Sequence, residues 1–383
     1  MAYGDLGAVV DTLTYHGFRS LCNEVVHVVD DIFAVSFREG MDQNYVRTFS
    51  IDSLGQVSDA YIDSILHDVN VSSDNNRLAK LTDSLYAIAT NNQLYQPKIT
   101  TIEILPNGQI TDTVLDTCAF DLVTGFPAKL QKCGPGMLAM TSVGWSEEQG
   151  WLHTIKVYPD GSIEPAIVDA LQFETGSCYE PWLEEIHPGT WAIAYQREHI
   201  YGQVKTFSIS AAGIIYPSQL DSLEFEPGGM MYPSMAKAHG DFVAIGYSMV
   251  PNGGKLSIVE IGQGGAITDT VIDSYLFDPG ESGRINTYHI AAGYIGVAYT
   301  NAAAHGVLKT FFVDENGSLN DTTIDTLEYD TAESQYQHVV HVTGDVWAVT
   351  YFTTGPSGKV ASFGLETPPE PRGPKDLMRG IYS

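Results

Sequence analysis

Three phrases recur along this 383-residue chain at an almost constant interval. "TWAIAY" at 190–195, "GDFVAIGY" at 240–247 and "GDVWAVTY" at 344–351 are copies of the first. Its central small residue stands at Ala34, Ala87, Ala139, Ala192, Ala244, Gly296 and Ala348, in steps of 53, 52, 53, 52, 52 and 52 residues. The second, seen as "LDSLEF" at 220–225, recurs with Asp11, Asp63, Asp116, Asp169, Asp221, Asp273 and Asp325. The third, seen as "VKTFSI" at 204–209, runs on the same period from 46–51 to 360–365. Such regularity means one supersecondary unit, repeated, in which each copy buries its apolar face against the next.

One copy reads as four strands. "PWLEEI" (181–186) is strand A, "TWAIAYQ" (190–196) strand B, "QVKTFSI" (203–209) strand C and "IIYPSQLDSLEF" (214–225) strand D. Apolar residues alternate with period two, and helical spacing is absent. The C-to-D turns read LPNG (105–108), YPDG (158–161) and DENG (314–317), where Asn and Gly tolerate positive φ. Four antiparallel strands in seven copies predict an all-β fold, a seven-bladed β-propeller of four-stranded antiparallel blades. Strand B places bulky residues on one face and small ones on the other, so that one blade presses its large face onto the small face of its neighbour.

The order of the phrases predicts how the ring closes. The chain opens on a D-type phrase (9–13) with no A, B or C before it, and ends on A, B and C phrases (336–365) with no D after them. The N-terminal strand is therefore expected to complete the last blade as its outermost strand. This closure resembles that of WD40 propellers over residues 1–365, although no Trp-Asp ends strand C and no Gly-His opens the repeat. The repeat is also similar to propeller repeats of environmental and phage-linked sequences without assigned activity. That resemblance implies a binding or structural role. The leading expectation is a non-enzymatic component of a larger phage or virus assembly, with a free carbohydrate- or protein-binding module as the alternative and a propeller glycoside hydrolase or lyase behind both.

Composition narrows the partners. Forty-seven acidic residues against nineteen Lys and Arg give a formal charge of −28, a field that repels nucleic acid and anionic membrane surfaces. No apolar stretch is long enough to span a bilayer, and "MAYGDLGAVVDTL" has neither the basic nor the apolar region of a signal peptide. A virion or cytoplasmic location is the corresponding expectation. Cys22, Cys118, Cys133 and Cys178 form no CxxC pair, so reduced thiols are expected rather than disulfides or zinc. The sequons at Asn70, Asn316 and Asn320 carry weight only in an exported chain.

Several residue rings invite a functional reading. The seven aspartates recur in every copy, whereas an active site breaks symmetry; they are expected to hydrogen-bond a turn or a strand C neighbour such as Thr48, Thr206 or Thr310. Five residues on stand His16, Asp68, Asp121, Glu174, Glu226, Asp278 and Asp330, hard oxygen ligands for a divalent cation or else a solvated rim. Seven residues before each central small residue stand His27, Lys80, Lys132, Glu185, Lys237, His289 and His341. On strand A this ring lies near the axis, to hold an anion, to titrate near neutrality, or to hydrogen-bond its neighbours.

The B-to-C and D-to-A loops share one face and differ from copy to copy, as a binding surface on a repetitive scaffold does. Tyr95, Trp145, Trp151, Tyr179, Trp182, His199 and Tyr201 are the aromatic candidates there, for a protein or glycan surface or as core residues at strand ends. Glu147, Glu148, Glu198 and His199 share that face with Arg197 and Arg284. No GxSxG, HExxH, P-loop or dinucleotide fingerprint is present, and neither cofactor nor metal is predicted. The tail 366–383, "ETPPEPRGPKDLMRGIYS", is Pro-rich and locally basic through Arg372, Lys375 and Arg379. It is expected to run extended and, through Leu377, Met378, Ile381 and Tyr382, to dock on a protein partner or another copy.

Overall fold

The computed structural model describes residues 2–16, 20–39, 43–69, 76–92, 94–120, 125–144, 148–216, 219–251, 253–280, 282–320, 322–353 and 357–368. All regular structure in them is β. Five sheets have four antiparallel strands each, in sequence order. The clearest holds Cys178–His187, Thr190–Arg197, Tyr201–Ser208 and Asp221–Glu226. A sixth sheet has seven strands, because the long strand Asp325–Thr343 serves twice. Its first part pairs with His305–Phe312 and its second with Val346–Thr353. At the far edge of that sheet, Leu6–His16 pairs with Ser357–Leu365, from Leu6 opposite Leu365 to His16 opposite Gly358.

The fourth strands are shorter than expected. Of 214–225 only the part from Asp221 belongs to a strand; Ile215 makes a single bridge to Ile209. Equivalent lone bridges recur at Ile51–Val57, Ile104–Ile110 and Ile261–Ile267. The turn before each fourth strand is thus pinned once and then released.

What these turns do is join one sheet to the next. The Asp221 carboxylate accepts the amide N–H of Ile267 at 2.8 Å, and Asp169 that of Ile215 at 2.9 Å, each in the turn of the following sheet. Asp11, Asp63, Asp116 and Asp273 do the same to Val57, Ile110, Ile163 and Leu319. Asp325 accepts from Leu6 at 2.8 Å, at the start of the N-terminal strand. The second oxygen of each caps its own chain, as Asp221 does with the N–H of Ser222. The threonines expected to meet these aspartates instead stand beside them in register and reach the same turns. Thr48, Thr154 and Thr206 each donate to the carbonyl of Gly108, Gly213 and Gly265 at 2.5 Å. Those glycines adopt φ near +80°, which a side chain would strain, and so present the carbonyl inward.

Packing follows the large-on-small pattern. Ala192 and Ala194 bury against Met235, Val243 and Ile245 of the following sheet, while Trp191, Ile193 and Tyr195 bury against Ala139 and Leu152 of the preceding one. Ala348 and Val360 meet Phe33, Val35 and Phe37, so the last sheet rests on the first. The first strands touch in sequence, and Ser20–Val29 contacts both Arg77–Lys80 and Asp325–Thr343.

The described acids of this ring are tied to lysines and tyrosines and do not form a solvated rim. Glu226 is buried, accepts from the Tyr247 hydroxyl at 2.9 Å and pairs with Lys255 at 2.8 Å. Glu174 does likewise with Tyr195 and Lys205, Asp330 with Tyr351 and Lys359, and Asp68 pairs with Lys98. These ties hold the lysines of the third strands against the fourth strands' ends; Asp121 lies outside the described residues. No group of three or more metal-ligating side chains occurs among the described residues. Cys118, Cys133 and Cys178 are free thiols, and burial pushes the Cys133 thiol up to about 12.

Two substitutions test this account. Asp221→Ala removes a charged acceptor from two backbone amides and should cost about 1–3 kcal/mol, read as a lower urea midpoint. Ala192→Leu overpacks a residue with no solvent exposure and should cost a similar ~1–3 kcal/mol. An unchanged midpoint in either protein contradicts the corresponding contact.

Candidate functional site

Every first strand but the shortest begins with an irregularity. The register slips between Leu21 and Glu24, Tyr179 and Trp182, Met231 and Ser234, Gly283 and Asn286, and Gln335 and His338. A bulge of this kind turns one side chain out of the sheet's alternation. The residues so turned are Glu180, Tyr232, Arg284 and Tyr336, spaced by 52, and all four have positive φ, at 50°, 55°, 40° and 56°. Non-glycine residues held in this region mark a conformation imposed by their surroundings and cluster at working sites. Here all four line one cavity of about 630 Å³ on the face of the variable loops.

Within it the Arg284 guanidinium lies between two rings, 4.8 Å from the centroid of Tyr232 and 3.9 Å from that of Tyr336, and 3.7 Å from the Glu180 carboxylate. Glu180 keeps 41% of its side chain accessible. That access is to the interior of a protein-walled recess, and desolvation pushes its carboxyl up to about 7, with Arg284 and Arg77 pulling the other way. A carboxyl that gains and loses its proton near neutrality is suited to acid–base work.

The next side chains inward form the floor. Two residues after each turned-out position stand Glu24, Arg77, Lys129, Trp182, Ser234, Asn286 and His338. Lys129 pairs with Glu24 at 2.7 Å and sits 4.4 Å from the centre of the Trp182 ring. His338 is 3.7 Å from Glu24; its burial holds it down at about 4, so it is neutral at pH 7. Against the desolvation of Glu24, the charges of Lys129 and Arg77 and the Lys129 hydrogen bond hold its carboxyl below the usual carboxylate range. Lys129, Trp182, Asn286 and His338 also line a second cavity of about 630 Å³ toward the opposite face. This layer is the floor of one cavity and the roof of the other.

The predicted residues distribute unevenly over these features. Tyr179 and Trp182 line the loop-face cavity. His199 stands beside it, its Nε2 2.8 Å from the Tyr179 hydroxyl and 3.5 Å from Glu148, which also accepts from Ser177 at 2.8 Å. Tyr95 packs edge-on against Phe126, a lining residue. Trp151 stacks on His153, and Tyr201 pairs with Arg197; neither lines the cavity. Glu198 is tied to Arg197 at 3.1 Å. Trp145, Glu147, Asn70 and the tail from 369 onward lie outside the described residues.

Of the other ring, Lys80, Lys132, Glu185, Lys237 and His289 line the second cavity. Lys80, Lys132 and His289 each reach a backbone carbonyl of the preceding sheet, of Val28 at 2.5 Å, Leu81 at 2.6 Å and Lys237 at 2.9 Å. His27, His341 and Glu185 bond within their own turns, to Asp30, Gly344 and Gly189.

Glu180, Tyr232, Tyr336 and Arg77 were not candidates on the sequence. The signal for them is positional. Twelve and ten residues before each central small residue, the copies hold unlike side chains, whereas the aspartate position never varies.

Neither protein-family models nor curated proteins give a match to this chain. Solved structures do match. The periplasmic gluconolactonase PpgL of Pseudomonas aeruginosa aligns over 79% of this chain and 83% of its own, with TM-score 0.57 and 13% identity. Sqt1 of Chaetomium thermophilum aligns over 91% and 85%, with TM-score 0.54 and 13% identity. A protein of unknown function from Dyadobacter fermentans DSM 18053 aligns over 94% and 99%, with TM-score 0.54 and 10% identity. The chain has a propeller-like all-β fold. At these identities the likeness is one of fold alone. It corrects the expectation of a non-enzymatic assembly component: an enzyme shares this scaffold, and no protein-family model supports WD40 membership or a phage link.

The raised Glu180 carboxyl has a measurable consequence. The folded state favours its neutral form, so its contribution to stability is present below the ordinary carboxylate range and is lost as pH rises through about 7. Glu180→Gln stays neutral throughout. The midpoint difference, variant minus wild type, should therefore shift in favour of Gln between pH of about 5 and about 8. A difference independent of pH places Glu180 in an ordinary solvated setting.

Proposed function

We propose that the repeated sheets are the seven blades of a propeller, with Leu6–His16 as the outer strand of the last blade, and that the loop-face cavity is the active site of a hydrolase for small cyclic esters. The pairing of Leu6–His16 with Ser357–Leu365 and the Asp325 to Leu6 bond support the closure. The observation that carries the activity is the placement of Glu180 in the cavity lining 3.7 Å from the Arg284 guanidinium, where desolvation pushes its carboxyl up to about 7. Lactone opening, the reaction in the name of one structural neighbour, needs what this group supplies.

As a carboxylate, Glu180 accepts a proton from water while the water oxygen bonds to the ester carbonyl carbon. The developing oxyanion meets the guanidinium groups of Arg284 and Arg77. The ring C–O bond then breaks, and the proton held by Glu180 passes to the departing alkoxide, leaving a hydroxy acid and the glutamate as it began. Trp182, Tyr232 and Tyr336 line the same cavity and give it aromatic walls for the substrate.

Titrating acid release from gluconolactone and smaller lactones tests this directly. The full chain should turn over at least one, with activity rising through pH of about 7. Glu180→Gln should lower kcat about 100-fold or more with its melting temperature retained. Uncatalysed rates across the panel, or full activity in the variant, overturn the assignment.

A further inference from the structure

The cations of the loop-face cavity differ in what engages them. Lys129 is paired with Glu24, and Arg284 is packed between two tyrosines beside Glu180. Arg77, at the start of Arg77–Lys80, lines the cavity with a buried Nε that has no hydrogen-bond partner among the described residues. It belongs to the floor layer with Glu24 and Lys129, and its charge acts on both Glu180 and Glu24. A buried guanidinium N–H without a protein acceptor is costly, and an oxygen of a ligand held in the cavity would satisfy it.

Resting on the reading of this cavity as the working site, we propose that Arg77 is the receptor for a single carboxylate on a small ring-bearing ligand, the place where the acid product of ester opening is held. The guanidinium fork matches a carboxylate with two parallel hydrogen bonds. The surroundings select a monoanion over a dianion: Glu24, Glu148 and Glu180 add negative charge, and neutral His338 adds no positive charge. Phe126, Trp182, Tyr232 and Tyr336 line the same space, and about 630 Å³ admits a molecule of one ring with substituents.

Calorimetry on the full chain with benzoate, cyclohexanecarboxylate, benzyl alcohol and inorganic phosphate tests this. Both carboxylates should bind, the alcohol should not, and phosphate should bind more weakly than either carboxylate. Arg77→Met should weaken carboxylate binding about tenfold or more, and Arg77→Lys, which keeps the charge but not the fork, should fall between. If Arg77→Met fails to fold, Arg77→Lys alone decides, and binding at wild-type strength overturns the proposal. So does an absence of carboxylate binding, indifference to Arg77→Met in a folded protein, or a preference for phosphate. Loss of lactone turnover in Glu180→Gln without carboxylate binding overturns the Arg77 receptor and leaves the active site standing. Arg77-dependent binding without turnover does the reverse.

Discussion

The bond from a fourth-strand aspartate to an amide of the following sheet is the constraint on which the architecture rests. Apolar packing between sheets is non-directional, and a stack of similar sheets held by it alone can slide or splay. Each aspartate fixes the distance and register between two neighbours at 2.7–2.9 Å, and a neighbouring hydroxyl repeats the tie in most copies. Because these ties join a fourth strand to a turn of the next sheet, the first strands are left free of that duty. Their positions vary from copy to copy, and the cavities form among them.

Division of labour between fourth and first strands explains how a nearly symmetric chain acquires one asymmetric site. The bulges that open the first strands recur, so the backbone offers the same turned-out position in successive sheets. Only the side chains differ: an acid, an aromatic, a base and an aromatic in four consecutive copies. Placed on a shared rim, they meet as Glu180, Arg284 and the two tyrosines around it. The floor follows the same logic with Glu24, Arg77, Lys129, Trp182 and His338. A buried set of unlike charges is costly unless each is answered, and Glu24 with Lys129 answers one pair.

Most of the fold is legible in the sequence, and for a physical reason. Period-two alternation, the Asn-Gly turns and the invariant aspartates each report a local backbone requirement that repeats, so every copy restates the rest. The fourth strand is misread at its start because Ile214 and Ile215 look like strand residues, whereas Ile215 makes one bridge and then yields to the turn. The site is less legible. Tyr179, Trp182 and His199 stand out as aromatics on the variable face and do gather near the cavity, but Trp151 and Tyr201 share that composition and are used elsewhere. Glu180 and Arg77 look like ordinary polar residues at strand starts. A bulge moves one of them out of the alternation that would place it, and only the packing of the sheets against one another brings the other to the cavity.

The pairing of Leu6–His16 with Ser357–Leu365 joins segments separated by nearly the whole chain. During synthesis the first of these is made before all the sheets between them and its partner after, so an amphipathic strand with a bare hydrogen-bonding edge must wait while they assemble. Contacts of such sequence separation are slow to form, and a waiting edge invites pairing with the wrong neighbour. Thr12 and Thr14, alternating with apolar residues on that strand, give it a wetted face that discourages such capture until its proper partner arrives.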